Sequence, residues 1–318
     1  MAGGAYNKVN TELFFQPFSQ ETGIEVITVD NSDGAARVKA MQDLGAVEWD
    51  ILGLTYDDAR SSDYEPLFES LGTCGDLPNV VTEGVEGSCL GTGVLWDSGG
   101  RVLVYDERAF PDGGPKTWAE FWDVKKFPGP RSLPGGDWPW YNLMIALLAD
   151  GVPHDKLYPL DVDRAFAKLD ELKSHIGVWW ANSDQSQQIL RSQEVVAAVL
   201  YNGRAARLKA DGVPVQFGWD GALFEAAAFS ILKGAPHLLA AKALLNFMYS
   251  RPEAHAKFAE KMYYALPNKN ADKFMDSEFA KTLVTAPENW SKVAKVDPNW
   301  LNGKREALIE RWTKWISA

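Results

Sequence analysis

Residues 24–54 read IEVITVDNSDGAARVKAMQDLGAVEWDILGL, and this stretch decides the fold class of the chain. Residues 24–29 are rich in β-branched side chains and predict a strand, residues 34–44 predict a helix, and residues 49–54 predict another strand. A helical segment that ends at Gly23 precedes them. Alternation of strands and helices is typical of a mostly parallel sheet that is covered by helices. The sequence therefore predicts an α/β fold.

Later segments continue this alternation. Apolar periodicity predicts helices over residues 141–149, 161–174, 237–249 and 252–262, and the Pro/Gly-rich run over residues 128–139 predicts a loop. The chain has 318 residues, which is long for one hydrophobic core and indicates two lobes.

Composition excludes several function classes. The apolar fraction of 46% and the charged fraction of 24% are those of an ordinary globular protein, and no run of about 18 apolar residues predicts a membrane span. A net charge of −11 without a basic patch argues against a nucleic-acid partner.

Met1 stands directly before Ala-Gly-Gly-Ala-Tyr, and we expect an export signal to have been removed at this point.

Cys74 and Cys89 are the two cysteines of the chain, and both lie in a Gly-rich stretch. Their closeness suggests a disulfide and an oxidising compartment, with two free thiols as the alternative. In the chain-entropy model, a disulfide that closes a loop of this size stabilises the fold by about 3 kcal/mol. The four histidines are scattered along the chain, so no metal site is predicted.

The richest candidate site follows a strand-like segment that ends in two tryptophans. Residues 177–188 read GVWWANSDQSQQ, and a tyrosine ends the next strand-like segment. Indole and phenol faces attract cations, and amide and hydroxyl groups orient a bound ligand. Strand alternation assigns Trp179 to the core, although both tryptophans could be core residues. The side chains assigned to a ligand are Trp180, Asn182, Ser183 and Tyr201.

A second candidate position is the end of the strand predicted over residues 49–54. Open α/β sheets bind ligands at the carboxyl ends of their strands, and Thr55 and Tyr56 fall at such an end. Tyr56 is therefore either a ligand contact or a loop residue packed locally.

Motifs for catalysis are absent. The sequence has no G-x-S-x-G elbow, no phosphate-binding loop, no G-x-G-x-x-G after a strand and no H-E-x-x-H. We therefore predict that the chain is not an enzyme and uses no cofactor. A ferric-ion site at Tyr263 and Tyr264 stays open as an alternative.

Several segments resemble, in the right order, the periplasmic solute-binding proteins of ABC importers in the spermidine/putrescine-binding group. The resemblance covers nearly the whole chain. It rests on Gly3-Gly-Ala-Tyr6, Phe15-Gln-Pro-Phe18, Trp49-Asp50, Thr117-Trp-Ala-Glu-Phe-Trp-Asp123, Leu147-Leu-Ala-Asp-Gly151, Leu157-Tyr-Pro-Leu-Asp161, Asn202-Gly-Arg204, Lys233-Gly-Ala235 and Tyr264-Ala-Leu-Pro-Asn268.

The resemblance implies two α/β lobes with mostly parallel central sheets, joined by a hinge and separated by a ligand cleft. Lobe 1 would hold residues 1–104 and 229–272, and lobe 2 would hold residues 105–228 and 273–318. It also implies a monomeric periplasmic receptor that delivers a small molecule to a membrane permease. By position, the ligand contacts of the family fall on Tyr6, Thr55, Tyr56, Trp138, Trp140, Tyr141, Trp180, Asn182, Ser183, Tyr201 and Tyr264, and near residues 224–229.

The departures from this group concern charge. Polyamine binders place acids at the start of the helix after the Pro/Gly loop, where this chain has Trp138-Pro-Trp-Tyr141 and Asp137 as the only acid. A second acid of the group is replaced by Ala227, with Glu225 two residues earlier. Several buried ammonium groups need carboxylate partners. The sequence therefore favours a ligand with fewer charges, such as 4-aminobutyrate, another zwitterion or a quaternary amine.

Alternatives to this ligand class stay open. A polyamine binder is the first, and an enzyme on the same scaffold is the second. Arg204 could pair bidentately with a ligand carboxylate, or it could form a salt bridge on a lobe surface.

Overall fold

The computed structural model describes residues 4–29, 34–136 and 138–318; Gly3 and Asp137, which entered the sequence comparison, lie outside this part. The chain forms two compact units. Unit 1 comprises residues 1–98 and 225–285, and unit 2 comprises residues 99–224 and 286–318. The lobe bounds and the hinge predicted above stay a prediction.

The described residues form helices and strands in alternation. The strands are β1 Ile51–Thr55, β2 Gly93–Asp106, β3 Arg131–Pro134, β4 Ile176–Trp180, β5 Ala197–Tyr201, β6 Val215–Phe217 and β7 Leu223–Ile231. The helices are α1 Gly4–Asn10, α2 Gln16–Thr22, α3 Gly34–Asp43, α4 Tyr56–Ala59, α5 Pro78–Glu83, α6 Trp118–Trp122, α7 Pro139–Ala149, α8 Val162–Lys173, α9 Ser183–Arg191, α10 Asn202–Ala210, α11 Leu238–Tyr249, α12 Pro252–Met262, α13 Ser277–Ala280, α14 Pro287–Trp290, α15 Pro298–Leu301 and α16 Arg305–Ser317. A π-helical turn over Thr11–Phe15 joins α1 to α2, and short 3₁₀ turns cover Glu65–Leu67, His154–Lys156 and Ala271–Phe274.

Unit 1 is built around the strand order β1-β7-β2. β1 pairs antiparallel with β7, and Thr55 lies opposite Ala227. The core beneath these strands is aromatic: Phe14 meets Trp96 edge to face at 4.9 Å, and Phe258 packs against both rings. Such contacts connect the N-terminal helices to the sheet.

Unit 2 contains the strand order β2-β5-β3-β4, with β6 on the other side of β2. β2 runs antiparallel to β5, whereas β5, β3 and β4 are parallel to one another. Helices α7 and α8 pack on these strands and bury Leu143, Phe166 and Leu169, and α16 closes the same core with Trp312.

The predicted α/β class is confirmed, but the strand pairing is mixed rather than mostly parallel. The β1–β7 and β2–β5 pairs are antiparallel. A β-α-β order gives parallel neighbours only when consecutive strands lie side by side. The neighbour of β1 is instead β7, which is distant from it in sequence.

The strand predicted over residues 24–29 is wrong. These residues form no described strand, and Ile27 and Val29 are 77% and 58% exposed. β-branched side chains favour a strand only where a partner strand exists. Among the described residues no strand pairs with this segment, although Val26 packs on the core of unit 1.

Other local predictions are confirmed or extended. The helices predicted from apolar periodicity correspond to α7, α8, α11 and α12. Gly23 ends α2 in the left-handed region at φ 73°. The Pro/Gly-rich run over residues 128–139 is not all loop, because it contains the short buried strand β3.

A disulfide joins Cys74 to Cys89, as predicted, with their Cα atoms 6.0 Å apart. Within the described residues, no helix has both the length and the apolar character needed to cross a membrane.

Candidate functional site

Three parallel strands of unit 2 end at one edge, and each leads into a helix. β3, β4 and β5 precede α7, α9 and α10, respectively. The carboxyl ends of parallel strands are where sheets of this class bind ligands. Trp180 and Tyr201, both predicted from the sequence, are the last residues of β4 and β5.

Arg101 lies at the same edge, because it is paired directly with Tyr201 across β2 and β5. Its side chain is buried, with only 1% of the residue exposed. The guanidinium carbon lies 4.0 Å from the ring centroid of Tyr141 and 5.2 Å from that of Tyr201. Nη2 also donates a hydrogen bond of 3.3 Å to the Tyr201 hydroxyl. Two ring faces and one hydroxyl therefore orient a buried cation.

The two adjacent tryptophans of β4 point to opposite faces, as strand alternation predicts. Trp179 packs on Trp312 and Trp315, with ring centroids 5.5 and 5.8 Å apart. Trp180 is 5% exposed, and its Nε1 donates to the carbonyl of Val199 at 2.9 Å. Its ring lies 6.0 Å from that of Tyr201. Trp180 therefore supports Tyr201, and its own polar atom is already bonded.

The first polar residue after β4, Asn182, forms hydrogen bonds with the backbone of α9. Asn182 is the N-cap of α9, and its side-chain oxygen accepts from the backbone N–H groups of Asp184 and Gln185 at 3.1 and 2.9 Å. Ser183 follows as the first helical residue and is half-buried. Arg204 in the first turn of α10 lies 3.9 Å from Asp184, whose side chain is 83% exposed. This is a long and solvated ion pair.

The aromatic residues at the start of α7 divide between core and site. Trp138 is half-buried against the core of unit 2. Trp140 is buried, and its Nε1 has no hydrogen-bond partner within the described residues. Tyr141, also buried, is the residue that contacts Arg101. Of the three, Tyr141 is therefore the one that the structure brings to the guanidinium.

Unit 1 holds a buried group of opposite charge. The Tyr6 hydroxyl donates a hydrogen bond to the Asp97 carboxylate. Burial raises the pKa of Asp97 to about 6, with the nearby negative charge of Glu225 adding to the rise and the Tyr6 hydrogen bond opposing it. The pKa of Tyr6 is raised well above its usual value by burial, then by the charge of Asp97 and by Tyr264. Of the predicted set, Tyr6 and Glu225 thus lie close to Asp97, and Tyr264 lies close to Tyr6.

The acids of the polyamine-binding group are replaced at its own positions, as stated above, but this chain has other acids near them. Carboxylates are present in unit 1, at Asp97 and Glu225, although not where the polyamine-binding group places them. The sequence signal for Asp97 and for Arg101 was a charged residue inside a long apolar strand, since both lie within β2. A buried charge at such a position is stable only where it is paired with another group or binds a ligand.

The residues at the end of β1 are engaged locally. Thr55 caps α4, and its hydroxyl accepts from the backbone N–H of Asp58 at 3.1 Å. The Tyr56 hydroxyl accepts from Nη1 of Arg60 at 3.2 Å, and the guanidinium lies 5.0 Å from the ring centroid. Arg60 therefore covers part of the Tyr56 ring.

The ferric-ion alternative at Tyr263 and Tyr264 finds no supporting cluster. Tyr263 ends α12 in the left-handed region at φ 60°, and its ring packs 5.9 Å from Phe279. Among the described residues, no group of three or more His, Cys, Asp or Glu side chains could hold a metal ion.

Comparison with known proteins agrees with this architecture. Residues 14–288 match the protein family described as bacterial extracellular solute-binding protein. The gamma-aminobutyric acid-binding protein of Pseudomonas aeruginosa is 33% identical over 322 residues, covering 99% of this chain and 89% of that protein.

Two solved structures share the fold and part of the sequence. An ABC transporter substrate-binding protein from Bradyrhizobium japonicum superposes with a TM-score of 0.90 at 34% identity, covering 98% of this chain and 97% of that one. The GABA receptor Atu4243 superposes with a TM-score of 0.88 at 31% identity, covering 99% of this chain and 95% of that one.

Proposed function

The chain belongs to the family of bacterial extracellular solute-binding proteins, and we propose that its ligand is a small zwitterion of the 4-aminobutyrate type. It is a substrate-binding protein of an ABC transporter. In this proposal it works as a monomer in the periplasm and delivers the ligand to a membrane permease. The names of two relatives support the ligand class, since one binds gamma-aminobutyric acid and the other is a GABA receptor.

The observation that carries the proposal is a pair of buried clusters with opposite charge. Unit 1 buries Asp97 and Glu225 beside Tyr6, and unit 2 buries Arg101 against Tyr141 and Tyr201. An ammonium group is complementary to the first cluster and a carboxylate to the second. The proposed ligand carries one group of each kind.

The same clusters argue against the alternative ligands. Putrescine and spermidine carry only cations and have no carboxylate that could pair with a guanidinium. Choline has a quaternary ammonium that suits aromatic rings but has no carboxylate for Arg101. Betaine has both charges but no N–H donors for the carboxylates of unit 1.

The ligand-binding residues predicted from the sequence stay a prediction. The contacts above favour six side chains for direct binding because each belongs to one of the charged clusters or packs on it: Tyr6, Tyr141, Trp180, Tyr201, Glu225 and Tyr264.

A thermal-shift panel tests the ligand class. The purified protein would be melted with 4-aminobutyrate, betaine, choline, putrescine or spermidine. A ligand present at 100 times its Kd stabilises the folded state by about 2.7 kcal/mol, which raises the melting temperature by several degrees. We expect the largest shift with 4-aminobutyrate. A shift with spermidine alone would replace this ligand class by polyamines, and no shift with any compound would refute it.

A further inference from the structure

Resting on the proposed function, we infer that Asp97 is the residue that binds the ammonium group of the ligand, and that it exchanges a proton for that group. Asp97 lies within β2 and is not among the site residues predicted from the sequence. Three features of unit 1 support this assignment: the burial of Asp97, the partners of its carboxylate and the second acid beside it.

Asp97 is a buried acid without a cationic side chain as its partner. Only 6% of the residue is exposed, and no lysine, arginine or histidine side chain forms an ion pair with it within the described residues. A buried carboxylate is stable where it pairs with a cation or takes up a proton. The site therefore suits an ammonium group, and it binds a proton where that group is absent.

The carboxylate of Asp97 keeps acceptor positions for a ligand. Its Oδ2 atom accepts from the Tyr6 hydroxyl, and the backbone N–H of Ala227 on the neighbouring strand β7 donates a second hydrogen bond. A carboxylate has about four acceptor positions, so these two bonds leave room for the N–H groups of an ammonium. The two donors come from different elements and fix the orientation of the carboxylate.

The groups around Asp97 determine how strongly it holds a proton. Burial raises the pKa of Asp97 to about 6, the hydrogen bond from Tyr6 opposes this rise, and the charge of Glu225 on β7 adds to it. Tyr264, the other titratable side chain of this cluster, acts on Tyr6. An ammonium group beside the carboxylate favours the ionised form and thus lowers its pKa. Ligand binding therefore displaces the proton.

The exchange is balanced in charge and in protons. The ammonium ion donates N–H hydrogen bonds to the carboxylate, and the proton of the carboxyl group passes to the solvent. The ligand keeps both of its charges between pH 5 and pH 7.5, because aliphatic carboxyl and amino groups have pKa values of about 4 and about 10. A change of affinity over this range therefore originates in the protein.

Calorimetric titration with 4-aminobutyrate at pH 6, in buffers of different ionisation enthalpy, counts the protons released on binding. We expect about half a proton per ligand for the original protein and none for Asp97→Asn. With a pKa of about 6 for Asp97, affinity should fall about 10-fold from pH 7.5 to pH 5. Asp97→Asn should bind about 10- to 100-fold more weakly at pH 7.5, without this pH dependence.

Two further variants distinguish Asp97 from its neighbours, because they shift the midpoint of the pH dependence in opposite directions. Glu225→Gln removes a negative charge and should move the midpoint to lower pH, whereas Tyr6→Phe removes a hydrogen bond and should move it to higher pH. The matched control is Asp76→Asn. Asp76 is an exposed acid of unit 1 that pairs with Lys242, and its loss should change neither affinity nor proton release.

Proton release that persists in Asp97→Asn and is lost in Glu225→Gln would assign the exchange to Glu225 and overturn the inference. Binding of 4-aminobutyrate without proton release at pH 6 would also overturn it and would leave the proposed function in place. If Asp97→Asn does not fold, the midpoints of Glu225→Gln and Tyr6→Phe decide, and unchanged midpoints would overturn the inference. If the original protein does not bind 4-aminobutyrate at pH 7.5, the proposed function itself has failed, and with it the inference that rests on it.

Discussion

The hydroxyl of Tyr6 in α1 donates a hydrogen bond to the carboxylate of Asp97 in β2, and both side chains are buried. This bond connects the first described helix to the strand that carries the acid of unit 1. Glu225 lies close enough to Asp97 to raise its pKa further. Two carboxylates and a phenol thus form a polar cluster in an otherwise apolar interior. Its contribution to the stability of the fold can be measured by substitution.

Asp97→Asn should change how stability depends on pH. The pKa of Asp97 is raised from 3.8 to about 6 in the folded protein. Folded protein therefore takes up a proton before the unfolded chain does, so this residue lowers stability as the pH rises from about 4 to about 6. The two-unit difference corresponds to about 3 kcal/mol.

Urea denaturation at pH 4.5 and pH 7.5 checks this expectation. Relative to the original protein, the Asn variant should be more stable at the higher pH than at the lower one. Asparagine keeps an oxygen that can accept from Tyr6, which makes it the matched replacement. A stability difference that is the same at both values of pH would show that Asp97 is ionised throughout.

His255 should remain neutral in mildly acidic solution. It is buried against Phe14, Trp96 and Tyr249, and its Nε2 donates to the carbonyl of Met248 at 2.9 Å. Burial lowers its pKa to about 4, against the opposing effect of that hydrogen bond. The unfolded chain takes up the proton first, so stability is lost as the pH falls from about 6.5 to about 4.

An NMR titration of the imidazole C2 proton measures this directly, with His255→Gln used to assign the resonance. The signal should keep its neutral chemical shift at pH 5.5. A midpoint near 6.5 would mean that the imidazole reaches solvent in the native state.

Loss of the Cys74–Cys89 disulfide should destabilise the protein by about 3 kcal/mol, since the bond closes a loop with a sequence separation of 15. The double variant Cys74→Ser/Cys89→Ser would be compared with the original protein by urea denaturation. A reducing agent should lower the stability of the original protein and leave that of the double variant unchanged. Identical midpoints for oxidised and reduced protein would contradict the expected role of the disulfide.

Tyr201→Ala should weaken ligand binding by about 1–3 kcal/mol, in the range of a well-packed contact at an interface. The change removes the ring beside Arg101 and Trp180. Tyr201→Phe keeps the ring and loses only the hydroxyl, so its affinity should lie between those of the original protein and the Ala variant. Calorimetric affinities and melting temperatures would be measured together. Lower stability with unchanged affinity in the Ala variant would identify Tyr201 as a packing residue alone.

Local features were predictable from the sequence. The opposite faces of Trp179 and Trp180 follow from strand alternation. The end of α2 follows from Gly23 and the start of α12 from Pro252. The disulfide follows from the two isolated cysteines. Each depends on neighbours within a few residues or on chemistry that has few alternatives.

Features that depend on distant neighbours were not predictable. The exposure of residues 24–29 and the pairing of β1 with β7 depend on which strands come together. The sequence places Asp97 and Arg101 inside an apolar strand, but their roles depend on Tyr6, Tyr141 and other partners brought from elsewhere in the chain. Trp140 lies in the core of unit 2, and its ligand contact stays a prediction.

Isothermal titration of the purified protein with 4-aminobutyrate, butyrate and n-butylamine tests the central claim most directly. The account predicts tight binding of 4-aminobutyrate and at least about 10-fold weaker binding of each analogue, since each lacks one charge-assisted set of hydrogen bonds. Binding of n-butylamine as tight as that of 4-aminobutyrate, or no heat with 4-aminobutyrate, would contradict it.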